Sequence, residues 1–473
     1  MMPFRMLVCA AAVVALLAGC ASVSPDGGLG DVQKLTQGKM VGVDATLGRG
    51  PTAQSAQAIA DLLAQALNDS AAVRIALLNN PGLQASMATL GISDADRVQA
   101  GRLPNPHLEL NRYVEGRQVE IERILRFDVI GLLALPWRAQ WAGQQTELAK
   151  LQAARDVVQQ AADTRKAWIN AVAAQQTARY MRDVKEATEA GAELARRLAR
   201  VGNWSRLNQA REQSMLADAT AQLARAEQAA FASREQLTRL MGLWGAQINY
   251  KLPERLPDLP KTAREINDVE AQALQQRLDV KSAIDEAAYV ADSLGFVKAS
   301  GFIDALDVRF TRNTNFDNAA GTRSTRRGFG VELPLPIFDW GQARNARAQA
   351  VYMLSVAKVR EVGVRARSEA REAYHGYRTA YDLARHYRDE VVPLRRFIAD
   401  EMLLRYNGML NSAFDLLADT RLSVVAVNAS IEAQRDFWLA DTDLQTTLTG
   451  TSAGTMTAMR SGNADGAAPA KGH

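Results

Sequence analysis

Two stretches of this chain change their hydrophobic period in the same way. From Gly328 to Ala350 the residues Phe329, Val331, Leu333 and Leu335 alternate with Gly328, Gly330, Glu332 and Pro334, which predicts a strand apolar on one face only. Pro334 and Pro336 cannot donate to a ladder and are expected to end it. A long run of helix formers begins at Gly341. Upstream, Phe127, Val129, Gly131, Leu133 and Leu135 predict a second such strand, stopped by Pro136 and followed by an Ala- and Gln-rich helix. Leu133-Ala134-Leu135-Pro136 lies over Leu333-Pro334-Leu335-Pro336, so the chain carries an internal duplication that sets its architecture.

Each junction opens a rod. No convincing breaker interrupts Arg138 to Val201, a helix of ~95 Å, about three times the thickness of a bilayer core. It turns at Gly202-Asn203 and returns from Trp204 to Met241. Leu194, Leu198, Val201, Leu207, Met215 and Leu216 supply apolar contacts at three- and four-residue steps. The second rod runs from Gly341 to Tyr406, is bent at Pro393, turns at Asn407-Gly408 and returns from Asn411 to Leu448. Before each junction lies a helix, Leu83 to Ala100 after the breaker Asn79-Asn80-Pro81-Gly82, and a counterpart reaching Ser300. In this pairing Ala271 to Ala283 matches Ile75 to Met87. A strand precedes each junction strand: His107 to Tyr113, with Leu108 and Leu110 against Glu109 and Asn111, pairs with Ile121 to Leu135. Asp304 to Asn313, with Leu306, Val308 and Phe310 on one side, pairs with the Gly328 strand. Polar loops are expected at Val114–Glu120 and Asn313–Arg327; the second places Arg323, Arg326 and Arg327 outside the sheet, as a solubilising loop or facing lipid phosphates. One-sided strands of ~9–11 residues fit a membrane barrel wall, and soluble sheets alternate too, so the pattern alone leaves both open.

The resulting organisation is a leader at 1–19, an N-terminal linker at 20–53, a first repeat at 54–243 and a Pro-rich seam at 244–262. A second repeat at 263–450 and a small, polar tail at 451–473 complete it. In the first repeat the strand pair covers 107–135 and the helical hairpin 138–241; in the second they cover 304–337 and 341–448.

Composition adds limits. With 47% hydrophobic and 23% charged residues the chain has material for large cores, and 56 basic against 52 acidic residues give no nucleic-acid signal. Arg5, the apolar run Leu7 to Leu17 and Leu17-Ala18-Gly19-Cys20 form a secretory signal, too short to span a bilayer. Leu17 to Cys20 resembles the lipobox of bacterial lipoproteins, which implies acylation of Cys20; the other reading is an ordinary secretion signal ending by chance in cysteine. Cys9 leaves with the leader in either case, so a disulfide within the mature chain is excluded. No catalytic constellation is found: His107, His375, His386 and His473 form no HxxxH or HExxH, and P-loop, GxSxG and CxxC are lacking. The chain is expected to be no enzyme, and neither cofactor nor metal is predicted.

The one-sided strands, the two rods and the motifs Leu103-Pro104-Asn105-Pro106 and Leu333 to Gly341 (LPLPIFDWG) resemble the TolC-like outer-membrane efflux protein family. The paired turns Arg200 to Ser205 and Arg405 to Leu410 add to the likeness. The resemblance implies a mixed, mainly α fold: two long antiparallel helical hairpins forming a periplasmic tunnel, with four strands per protomer in a trimeric twelve-stranded membrane β-barrel. It implies a lipid-anchored outer-membrane exit duct, a homotrimer served by a periplasmic adaptor and an inner-membrane pump of the RND type, set in outer-membrane lipid. Arg200, Gly202, Asn203, Arg405, Tyr406 and Gly408 become adaptor-docking tips, and Pro136, Pro334, Pro336, Trp340 and Gly341 the strand-to-helix junctions. Asp415 and Asp419, one helical turn apart, are candidates for a charged aperture; Leu416 or Leu417 would make an apolar one instead. The same duct serving metal-ion efflux or protein secretion, and a lipid-anchored coiled-coil scaffold without a pore, remain alternatives at this stage.

Overall fold

The computed structural model describes residues 22–451 apart from positions 41, 44–45, 49, 51, 301–305, 334, 336 and 339, and without the side chains of 296–300, 413–415, 417 and 418. Cys20, Pro334, Pro336 and the tail beyond Thr451 lie outside the described residues. The chain divides into two compact units, and neither is a sequence repeat. One takes Met1–Asp31, Met87–Gln152 and Lys281–Val362, the other Val32–Ser86, Ala153–Val280 and Gly363–His473, so each draws on both halves of the duplication.

The first unit holds a four-stranded antiparallel sheet in the order β1-β2-β3-β4, formed by β1 (His107–Glu115), β2 (Gln118–Asp128), β3 (Asp307–Asp317) and β4 (Thr322–Glu332). Each duplicated half supplies one hairpin, and β2 pairs with β3 to join them. The hairpin turns are far tighter than the expected loops. Gly116 and Gly321 take left-handed φ values of 55° and 65°, and the Asp317 carboxylate accepts from the N–H groups of Ala319 (2.8 Å) and Ala320 (3.0 Å). Arg323, Arg326 and Arg327 therefore belong to β4 and not to an external loop. The segment is polar on both faces near the turn, which imitates a loop in sequence, yet its backbone pairs along the whole ladder.

The junction after β2 also differs from expectation. β2 ends at Asp128, whose carboxylate accepts from Gly131 N at 2.7 Å and caps a short helix, Val129–Leu133. Leu135 then opens a helix that is continuous over 66 residues to Arg200. Pro136 sits in its first turn, where a missing N–H costs nothing, so it starts the helix and does not stop a strand.

The second unit is helical around two cores. In one, Trp168 donates from its indole to Leu67 O at 2.7 Å amid Ile59, Ile75, Val172, Leu237 and Met241. In the other, Phe437 packs against Tyr377 and Tyr381 with ring centroids 5.6 and 5.7 Å away. The Pro-rich seam is an ordered strap: Leu252 and Leu256 enter the first core and Leu259 the second, while Pro257 O accepts from Gln434 (2.7 Å) and Trp438 (3.1 Å). The duplication is visible here one residue out of the expected register. The helix Asp69–Asn79 ends on Asn80 (φ −68°, ψ 118°) and its counterpart Val269–Gln276 on Arg277 (φ −68°, ψ 131°), so Asn80 corresponds to Arg277. In the second rod, Gln342–His386 passes into a π turn at Tyr387–Val391 before Val392–Asn407. Pro393, within the first turn of that last segment, cannot donate, and the ladder widens just ahead of it.

Candidate channel wall and aperture

In the first unit the pairing register assigns every strand residue to a face. Leu108, Leu110, Arg112 and Val114 of β1 lie alongside Val119, Ile121, Arg123, Leu125 and Phe127 of β2. Val308, Phe310, Arg312, Thr314 and Phe316 of β3 continue the row, followed by Arg323, Thr325, Arg327, Phe329 and Val331 of β4. Phe127 and Phe310 meet edge to face at 6.3 Å on this side. All the carboxylates of the strands fall on the opposite face, with His107, Arg126, Arg309 and Arg326. There Asn313 donates to Glu120 (3.1 Å) and Glu122 (3.3 Å), and Asn111 to Glu109 (2.9 Å). The apolar band continues below the strands, where Leu132, Leu133, Trp137, Leu333, Leu335, Ile337, Phe338 and Trp340 are exposed. Gly341 turns the chain at φ 77° into the helix Gln342–His386, and its carbonyl accepts from Asn345.

In the second unit the two helical turns close by the same device. At the first, Asn203 N donates to Leu198 O (2.9 Å) and Gly202 N to Ala199 O (3.2 Å), with Gly202 at φ 80°. At the second, Leu410 N donates to Arg405 O (2.8 Å) and Met409 N to Tyr406 O (3.0 Å). Here the left-handed position, φ 59°, belongs to Met409, one residue after Gly408. Val201, Leu207, Leu404, Met409 and Leu410 are exposed at these ends, and Arg200 reaches back toward Glu193 at 4.0 Å. Met409→Gly is expected to stabilise the hairpin by about 1 kcal/mol, because a side chain in this conformation costs ~1–2 kcal/mol and glycine returns part of that as entropy. Denaturation midpoints of variant and parent check it.

Beside the second turn, Asp419 does not stand free. Its carboxylate lies 3.6 Å from Arg395, tying the helix Ala413–Thr449 to Val392–Asn407, and Leu416 is half-buried on the same helix. Asp415 and Leu417 occupy this helix, but their side chains lie outside the described residues. Sequence reasoning missed Arg395, whose signal was a distance from the turn similar to that of Asp419. It also missed Glu212, which is buried on the helix Arg206–Met241. Burial raises the Glu212 carboxyl above its ordinary value against the pull of the Arg421 guanidinium, itself 3.0 Å from Met215 Sδ. A carboxyl with a raised folded pKa contributes stability that is full below the unfolded value and is lost as pH rises through the folded one. The parent should therefore lose more thermal stability than Glu212→Gln between pH 4 and 8; parallel melting curves across that range would discount Glu212.

Among the described residues no helix is long and apolar enough to cross a membrane, and no group of His, Cys, Asp and Glu could hold a metal ion. No protein-family model matches the chain, and no curated protein matches it in sequence. Solved structures do. The outer-membrane channel OprN is 16% identical over 88% of this chain and 95% of its own, with a TM-score of 0.67. The open-state MtrE outer-membrane channel of Neisseria gonorrhoeae is 18% identical over 80% and 88%, at 0.64. CusC, described as forming a transmembrane channel, is 14% identical over 81% and 92%, at 0.66. This chain has the TolC-like outer-membrane channel fold. The four strands and two helical hairpins expected from sequence are present.

Proposed function

We propose that the chain is the outer-membrane exit duct of a tripartite efflux or export system, a passive conduit anchored through lipid on Cys20. An inner-membrane pump of the RND type feeds it through a periplasmic adaptor, which meets the exposed ends at Arg200, Gly202 and Asn203 and at Arg405, Tyr406 and Gly408. The observation that carries this reading is the sheet with two open edges. Among the described residues β1 and β4 each have a ladder partner on one side only. Edge N–H and C=O groups left unpaired in hydrocarbon cost several kcal/mol each, so four strands require closure by other copies. Three copies give an even, twelve-stranded cylinder, with the acidic face lining the lumen and the apolar face turned to lipid. The likeness in fold to proteins described as outer-membrane channels supports the reading as a duct.

The purified full-length protein is expected to run as a trimer in detergent until boiled, and to give discrete conductance steps in a planar bilayer. A pore-less scaffold would extract as an unassembled subunit and pass no ions, and that result would overturn the proposal.

A further inference from the structure

Resting on the reading of the sheet as a barrel wall, we propose that its lipid face carries a guanidinium collar that binds the phosphomonoester headgroups of outer-leaflet lipid. Arg123 is the direct cross-strand partner of Arg312, and Arg312 of Arg327, so three cations stand side by side on one face. Like charges directly opposite in a ladder destabilise it. No carboxylate shares the face to offset them, since every strand Asp and Glu alternates to the other side. The lumen face makes the contrast. Arg126 and Arg309 are also cross-strand partners there, but the directly paired Asp128 and Asp307 stand two residues away on the same face and balance them.

Position along the strands identifies the occupant. From the arginine row toward the helices this face is wholly apolar, ending in Phe127, Val308 and Val331. Toward the turns, Arg112 and Arg323 add further charge. From Arg327 to Glu332 a tilted strand descends ~13 Å, and the exposed Leu333, Leu335, Ile337, Phe338 and Trp340 extend the apolar height toward the ~25 Å of an outer-membrane barrel. The row thus lies where hydrocarbon gives way to headgroups. Arg123 donates to Thr314 Oγ1 at 3.3 Å and Arg323 lies 5.2 Å from the Phe316 ring centroid, contacts that hold both guanidinium groups against the wall. A planar fork takes phosphate oxygens in pairs, and a phosphomonoester brings the charge that three adjacent forks require.

The test is native mass spectrometry of the full-length assembly, incubated with equal amounts of phosphatidic acid and phosphatidylcholine. Retention of phosphatidic acid is expected to exceed that of phosphatidylcholine, and R123Q/R312Q/R327Q to lower it about tenfold while the lumen-face R126Q/R309Q/R326Q leaves it unchanged. The single R327Q, on the exposed edge strand, gives a smaller loss and serves if the triple variant does not assemble. Absence of preference in the parent, equal loss from both triple variants, no loss from R327Q, or full displacement of the lipid by excess inorganic phosphate would each overturn the collar. Conductance measured on the same samples separates the two proposals: a conducting parent without lipid preference removes the collar alone, and a parent that passes no ions removes the duct.

Discussion

Arg277→Met should lower the unfolding free energy of the helical unit by about 3–5 kcal/mol, seen as an earlier denaturation midpoint in detergent. The Arg277 side chain is fully buried, and its fork meets Asp279 through Nε (2.9 Å) and Nη2 (2.6 Å) while Nη1 reaches Glu369 at 2.8 Å. Burial alone would lower the pKa of the guanidinium; the bonds to Asp279 and Glu369 outweigh it and hold Arg277 above its ordinary value. Removing the cation takes away the charge that both carboxylates share in a poorly solvated site, and that penalty is what makes the single change severe. The half-buried Arg155, whose charge also interacts with Asp279, favours the lower end of the range. R277M/D279N/E369Q should recover most of the loss, because a neutral cluster of similar volume has no charge left to desolvate. Arg277→Lys should fall between, a single ammonium being unable to serve both carboxylates in the same geometry. A midpoint for Arg277→Met within about 1 kcal/mol of the parent would show the network to be dispensable.

That network also shows why part of the architecture was hidden. Asn80-Pro81 announces a helix break through proline chemistry. Its counterpart has no proline, and Ala-, Gln- and Leu-rich helices carry so little register information that aligning them by composition slipped by one residue. What fixes the second break is tertiary: Arg277 turns inward to its carboxylates, and Leu278 N donates to Gly450 O. The sheet was more legible, because a face that is apolar on one side only imposes a strict period of two on Leu108, Leu110, Phe310 and Phe329. Legibility failed near the turns, where Thr322 to Arg327 is polar on both faces and only ladder partners distinguish strand from loop. It failed again at Pro136, since proline can end a strand or open a helix. The deciding feature was the Asp128 carboxylate placed to cap Gly131, a local signal present in the sequence and overlooked beside the stronger repeat. The helices end at Arg200 and Asn407, and while Gly202 takes the left-handed position at the first turn, Met409 takes it at the second, one residue beyond Gly408.

If the chain conducts as proposed and the Arg395–Asp419 contact holds it closed, Asp419→Asn is expected to raise single-channel open probability about tenfold, the population change that corresponds to losing ~1.4 kcal/mol. The Asp419 side chain keeps only 12% of its exposure and Arg395 32%, so their 3.6 Å contact is shielded enough to exceed an ordinary surface pair. It joins the two helices that flank the second turn, and an aperture built from that turn in three copies would carry the contact three times. Arg395→Gln should therefore act in the same direction as Asp419→Asn. The double variant should add little to either, since both remove one interaction. An exchange of the two charges, R395D/D419R, should return the channel toward its closed population. Asp415→Asn separates the alternatives for the aperture. If the carboxylates form an ion-repelling ring, both aspartate variants change cation sensitivity; if they act by holding helices together, only the Asp419 and Arg395 variants change opening. Should Asp419→Asn and Arg395→Gln leave opening and cation sensitivity alike untouched, the constriction would lie elsewhere, and Leu416 and Leu417 would be the next residues to replace.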